Sequence, residues 1–228
     1  MARPKALVSW SSGKDSAWAL HLVRQAGELE IAGLVTTVTS AFGRVAMHGV
    51  REALLDAQAG SLGLPCFKVP IPWPCSNAIY EAEVSQVLRQ AQRQGVTKVV
   101  FGDLFLADIR AYREARMAEL GLQPVFPLWM RDTAQLAREM LAAGVRATLT
   151  CVDPKKLSRD FAGRSFDAGL LSELPAGVDP CGEYGEFHTF ASAGPMFSRP
   201  IDVVTGEIVE RDGFVFADLL PAAAQAVG

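Results

Sequence analysis

A short β-type run, Ala6-Leu7-Val8, leads directly into Ser9-Trp10-Ser11-Ser12-Gly13-Lys14-Asp15-Ser16 and then into the helix-type run Ala17-Trp18-Ala19-Leu20. That order commits the chain to a strand–turn–helix unit near its start. Small hydroxyl residues and a glycine at such a turn let several backbone N–H groups point at one anion. The positive end of the following helix adds to the pull. The stretch reads as a phosphate cradle, the plainer alternative being a serine-rich turn that only caps a helix. It is not the loop of kinases and GTPases, which needs a glycine five residues before Gly13 and Ser or Thr directly after its lysine. Val8 and Asp15 occupy those positions. Ser12 is expected at negative φ, which leaves the positive-φ demand to Gly13.

The first two thirds of the chain repeat the same alternation. Strand-like stretches at 6–9, 31–38, 66–69, 98–102 and 124–128 alternate with segments of helical period at 16–26, 50–62, 77–94 and 109–120. Gly27, Gly63, Gly95 and Gly121 follow the four helical segments where a left-handed residue commonly stops a helix. This pattern predicts an α/β fold, a doubly wound parallel sheet with right-handed crossovers. Ligands of such sheets sit outside the carboxyl ends of the strands. The cradle and the loop Gly102-Asp103-Leu104-Phe105-Leu106-Ala107-Asp108 should therefore open on one crevice.

A helix over 133–143 and a strand over 146–152 come next, and then the character changes. Residues 153–167 are polar, with Lys155, Lys156, Arg159 and Arg164. The last forty or so alternate like β-structure, with turns expected at Thr205-Gly206 and Asp212-Gly213. The expected division is a phosphate-binding domain over 1–150 and a smaller α+β substrate domain over 151–228. The Ala-rich end, 221–228, reads as frayed.

Length and charge narrow the classes of function. A chain of 228 residues with 50% hydrophobic content suits one α/β domain plus an appendage. A formal net charge of −3 leaves no footprint for bulk nucleic-acid binding. Cys66, Cys75, Cys151 and Cys181 form neither a C-x-x-C pair nor a zinc spacing. With no signal-peptide pattern and no apolar run of membrane-spanning length, the expectation is a reduced cytoplasmic protein with no membrane partner. A homodimer is compatible with the sequence, which does not fix the oligomeric state.

Four groups of residues can carry chemistry. Asp15, beside the cradle, suits a magnesium ion that offsets phosphate charge, and equally suits the first turn of a helix as an acid. In Asp108-Ile109-Arg110-Ala111-Tyr112-Arg113-Glu114, an Asp108 cap would set Arg110 and Arg113 on one helix face, with Glu114 one turn beyond Arg110. Two guanidinium groups at a crevice bind carboxylate or phosphate, whereas on a generic helix they form a solvated face. Arg44 and His48 follow the second strand and can reach a substrate, although a histidine beside glycine is often only a structural hydrogen-bonder. Finally, Cys181-Gly182-Glu183-Tyr184-Gly185-Glu186-Phe187-His188-Thr189 packs two acids, a histidine and two glycines into nine residues. Its glycines permit tight backbone near a ligand, and Glu183 and Glu186 can orient an amine or act as general bases. A turn opening a strand is the alternative.

The order Ser11-Ser12-Gly13-Lys14-Asp15-Ser16 resembles the pyrophosphate loop of ATP pyrophosphatases, with Ser12 in place of that loop's first glycine. Taken with Gly102-Asp103, Arg110, Arg113-Glu114, Pro127-Leu128-Trp129 and Gly182–Thr189, it resembles the family of ATP-binding proteins that includes diphthine–ammonia ligase. Tyr184 stands where many members have Asn. The resemblance implies an adenine-nucleotide α-hydrolase-like domain followed by a smaller substrate domain, with ATP and Mg2+ as cofactors. It implies adenylation of a carboxylate, on a small molecule or a protein, with release of pyrophosphate and then amide formation with ammonia. Ser9, Ser11, Ser12, Gly13, Lys14, Asp15, Ser16, Gly102 and Asp103 would hold the nucleotide, with Asp15 on the metal. Lys14, Asp15, Glu183 and Glu186 would be catalytic. Arg44, His48, Arg110, Arg113, Glu114, Glu183, Glu186, His188 and Thr189 would meet the substrate. A tRNA-modifying pyrophosphatase predicts cysteine pairs and a basic face, which the chain lacks. A nucleotide-holding sensor leaves the Gly182–Thr189 cluster unexplained.

Overall fold

Ala6, Leu7 and Val8 are fully buried because the strand they form, β1 (Lys5–Ser9), lies in the middle of a sheet covered on both faces. A computed structural model of the chain describes residues 2–222. Of the expected frayed end, residues 223–228 lie outside the described residues, while Pro221 closes the last strand. The first unit runs α1 (Lys14–Ala26), β2 (Glu30–Thr39), β3 (Arg44–Val45), α2 (Glu52–Leu62), β4 (Cys66–Ile71), α3 (Asn77–Arg93), β5 (Val96–Val100), α4 (Ala107–Glu119) and β6 (Gln123–Val125). Its parallel strands lie in the order β4-β2-β1-β5-β6, with the two-residue β3 antiparallel to the end of β2.

Strand order reverses between β1 and β5, so a crevice opens where the loops beyond their carboxyl ends part. Side chains alternate across β1 as a pleated strand requires. Ala6 and Val8 join the core under α1 and α2, and Leu7 joins the one under α3 and α4. Gly27, Gly63, Gly95 and Gly121 all have positive φ, as expected of helix stops.

The second unit contains α5 (Thr133–Ala142), β7 (Arg146–Val152), a 3₁₀ turn at Arg159–Phe161, α6 (Ala168–Glu173), β8 (Phe187–Ala193), β9 (Val203–Arg211) and β10 (Phe214–Pro221). Its strands form an antiparallel sheet in the order β8-β7-β10-β9. The chain leaves the first sheet after Val125 and enters the second at Arg146. Residue 150, where a composition change suggested a division, therefore lies inside a strand. The core under α1 and α2 continues through Leu149, Phe190 and Val215 of the second sheet, so the two sheets share one apolar interior.

Two local expectations are corrected and one is met. Thr205-Gly206 is not a turn but part of β9, which runs straight through it. The turn at Asp212-Gly213 is the real hairpin, with φ of 52° and 80° at the two residues, as a type I′ turn demands. Asp108 does not cap α4: Leu106 holds that position without a side-chain cap, and Asp108 lies in the first turn.

Candidate active site

The loop after β1 is fixed from behind. Gln58, fully buried on α2, accepts a hydrogen bond from Trp10 Nε1 at 2.9 Å and donates to the carbonyls of Ser12 and Ala191 at 3.0 and 2.7 Å. Ala191 N–H also donates to the Ser12 carbonyl. These bonds hold Ser12 at φ +69°, so the expected negative φ at this residue is wrong. Gly13 is instead extended, with φ −84° and ψ 168°. Its missing side chain serves close approach: a Cβ there would lie 2.9 Å from His48 Cε1 and 3.3 Å from the Thr189 carbonyl oxygen.

In front, Gly13 at the N-cap of α1 has no side chain to cap the helix. Ser11 Oγ and Ser16 Oγ lie 3.2 Å apart beside it, and Lys14 N–H donates to Thr189 Oγ1 at 3.1 Å. Ser12 is fully buried, so its side chain does not face the crevice. Lys14 turns away from the cradle as well. Its ammonium donates to both Asp15 oxygens and to the Cys181 carbonyl, and sits over the rings of Phe166 and Phe187. Burial works against its charge, yet the Asp15 carboxylate beside it leaves its pKa above the ordinary lysine value.

A polar cavity of about 210 Å³ opens at this point. It is lined by Ser9, Ser11, Lys14, Asp15, Ser16, Gly102, Asp103 and Arg113 from the first unit and by Glu183, His188 and Thr189 from the second. A more apolar cavity of about 300 Å³, between the sheet and helices α3 and α4, adjoins it. Ser9, Ser11, His48, Phe101, Arg113 and His188 line both.

Gly102 approaches α1 closely, since a Cβ there would meet the Asp15 backbone at 3.0 Å. Arg113 lies over Phe101 and pairs with Asp103 at 2.8 Å. Glu183 accepts from the N–H groups of Leu104 and Phe105 through Oε1. Burial pushes its carboxyl up to about 7 despite those two bonds. The His48 and His188 rings lie tilted at 35° with centroids 4.5 Å apart, and burial holds both below the usual histidine value, His188 at about 4.

Other expected site residues lie elsewhere. Arg110 is packed over Phe126 and Trp129 and paired with Glu114 at 2.7 Å, lining neither cavity. Arg44 and Arg51 both grip Asp218 of β10, which makes Arg44 a strut between the units. Glu186 is 3% exposed, and its Oε1 accepts from Asp179 N–H behind the cavity, in a structural place. Tyr184 is exposed and lies edge-on to Phe105.

Two residues of consequence were not singled out from the sequence. Asp179 Oδ1 accepts from the N–H groups of Cys181 and Glu183, which sets the turn that aims Glu183. Asp-Pro before Cys-Gly was a legible sign of such a turn. Gln58 was visible only as a polar residue on the apolar stripe of Leu54, Leu55 and Leu62.

Two family models cover this arrangement: the diphthamide synthase N-terminal domain matches residues 4–124 and the diphthamide synthase C-terminal domain matches 132–218. The chain belongs to the diphthamide synthase family. The seam between its two domains falls between β6 and α5, where the chain leaves the parallel sheet. Among curated relatives, the diphthine–ammonia ligase of Danio rerio is 28% identical over 235 residues, covering 91% of this chain and 89% of that protein. The protein of the same name from Bos taurus is 26% identical over 179 residues, 72% of this chain and 67% of that one. The Homo sapiens counterpart is 34% identical over 118 residues, 49% of this chain and 44% of its own length. No helix among the described residues is long and apolar enough to cross a membrane.

Proposed function

We propose that this chain is an ATP-dependent amide-forming ligase, which adenylates a substrate carboxylate and then joins the acyl group to ammonia. One observation carries the reading. The N-terminus of α1, at the switch point of a parallel sheet, opens on a polar cavity that the Gly182–Thr189 segment also lines. The apolar cavity suits adenosine, and the polar one suits a triphosphate. The Ser11 hydroxyl and the α1 N–H groups beyond Lys14, whose own N–H is taken by Thr189 Oγ1, are the donors there. A carboxylate oxygen entering from the Glu183 side attacks the α-phosphorus, and the bond to pyrophosphate breaks.

Asp15 is the residue that would hold magnesium. Its side chain is 27% exposed at the edge of the cradle, and among the described residues no three His, Cys, Asp or Glu form a cage of their own. That fits an ion that takes one or two carboxylates and completes its shell with phosphate oxygens and water. When bound, the ion offsets the charge of the departing pyrophosphate. Lys14 orients the Asp15 carboxylate, and Arg113 is placed to meet phosphate or acceptor charge. Glu183, with one oxygen tied to the backbone and a pKa near neutrality, is the acid or base closest to hand. The relatives named diphthine–ammonia ligase support diphthine, or a carboxylate of its kind, as acceptor. The free state of all four cysteines supports a reducing, cytoplasmic setting.

The test uses α-labelled ATP with magnesium, ammonium, and either diphthine-bearing elongation factor or a panel of small carboxylic acids. AMP is the expected product. ADP alone, or tight ATP binding with no turnover, would overturn the reading. Asp15→Asn should slow pyrophosphate release by roughly a hundredfold, about 2.7 kcal/mol of barrier, with a smaller loss of ATP affinity. Equal losses would make Asp15 a scaffold residue.

A further inference from the structure

His48 is fixed more tightly than a general substrate contact requires. Its Nδ1 lies 3.1 Å from the Thr189 carbonyl oxygen. A carbonyl only accepts, so Nδ1 carries the hydrogen and Nε2 is left with a bare lone pair. Among the described residues no hydrogen bond reaches Nε2, nor either ring nitrogen of His188, whose ring lies tilted against it. The ring abuts the phosphate loop, where a Cβ on Gly13 would come within 2.9 Å of Cε1. Burial, the neighbouring imidazole and the Lys14 charge all disfavour protonation of His48.

A bare lone pair beside a phosphate site faces the wrong partner, because every triphosphate oxygen at that point is an acceptor too. The group that meets Nε2 must be a donor. Among the reactants of the proposed ligation, ammonia brings its N–H donors to this point.

We propose that His48 forms the subsite for the nitrogen nucleophile, accepting an N–H hydrogen bond at Nε2 and then the proton as the amide forms. The inference rests on the ligase reading above. In the step, the ammonia lone pair bonds to the acyl carbon, and the bond from that carbon to AMP breaks with its electrons left on the phosphate oxygen. The proton shed by nitrogen passes to His48 Nε2. The Thr189 carbonyl, already bonded to Nδ1–H, steadies the imidazolium that results.

The test reads the imidazole directly and needs no turnover. The full chain, with 15N-labelled histidine, magnesium and α,β-methylene ATP, is titrated with ammonium chloride and in parallel with potassium chloride. Expected are an unprotonated Nε2 at His48 before addition and a saturable shift of that nitrogen with ammonium, larger than with potassium at equal concentration. A protonated Nε2, equal responses to both salts, or a shift caused wholly by the nucleotide analogue would overturn the proposal. Each result stands whether or not the chain proves to be a ligase. In turnover, His48→Asn should raise KM for ammonium about tenfold more than KM for ATP. Equal rises would refute the assignment.

Discussion

Replacing Ser12 by glycine should make this protein more stable, against the usual direction of point substitutions. Ser12 sits at φ +69°, where an L-residue with a Cβ costs about 1–2 kcal/mol. Its hydroxyl is fully buried and has no hydrogen-bond partner among the described residues, a desolvation cost of about 1–3 kcal/mol. Glycine removes both terms and adds about 0.5–1 kcal/mol of backbone entropy lost on folding. The net gain is about 2 kcal/mol, or roughly 4–8 °C in Tm for a chain of this size. Ser12→Ala is the control, because it deletes the hydroxyl and keeps the strained φ. Calorimetry on the three proteins should rank glycine above alanine and alanine above serine. A Tm for Ser12→Gly at or below that of the parent would refute the argument. The strain persists because the Ser12 carbonyl is pinned by Gln58 and by Ala191 N–H, so the neighbours over-determine the conformation.

Gln58→Met keeps the volume and removes three hydrogen bonds, leaving Trp10 Nε1–H and the Ala191 carbonyl buried without this partner. A loss of about 3 kcal/mol is expected, seen as a Tm lower by roughly 6–12 °C, and a fall of under about 2 °C would contradict it. Asp218→Ala frees Arg44 and Arg51 and should cost about 1 kcal/mol, given partial exposure, while leaving ATP turnover near the parent's. A large catalytic loss would return Arg44 to the substrate. The folded-state pKa of Glu183, about 7, lies above its unfolded value. Its stabilising contribution is thus full below about pH 4.5 and lost as pH rises through 7. The Tm advantage of the parent over Glu183→Gln should therefore shrink from pH 4.5 to 8, and a constant difference would remove the assignment.

The fold was legible where local rules and the global structure agree. Strand runs bounded by Gly27, Gly63, Gly95 and Gly121 located the parallel strands to within three residues at each end, because helix stops and buried strands are set by nearby sequence. The turn from β1 into α1 was legible for the same reason. Partner identity was not. Arg110 and Arg113 share a helix face and the same spacing rules, yet one lies over Phe126 and Trp129 and the other over Phe101 at the crevice. Only the packing of α4 separates them. Glu183 and Glu186 looked equivalent in the motif. Gly182 at φ 76° and Gly185 at φ 77° bend the chain between and around them, so one carboxylate faces the cavity and the other is buried against Asp179 N–H. Thr205-Gly206 misled because glycine marks turns on average, while here it lies opposite the register shift between Ala217 and Leu219 of β10.

The second unit completes the site and does more than adjoin it. Glu183 satisfies the N–H groups of Leu104 and Phe105 at the mouth of the β5 loop, and Thr189 accepts from Lys14 N–H and fixes the His48 tautomer. The Cys181 carbonyl takes the Lys14 ammonium, and Ala191 N–H helps hold Ser12 in its strained conformation. Each of these bonds joins a loop at the switch point to one short segment, 181–191. If the 181–191 segment covered the site without making these bonds, the Lys14 ammonium would keep only Asp15 and several backbone donors would be buried without partners, at a cost of several kcal/mol. Cradle geometry and docking of the antiparallel sheet are thus one equilibrium. Substitutions along 181–191 that loosen docking should weaken ATP binding even where they touch no phosphate.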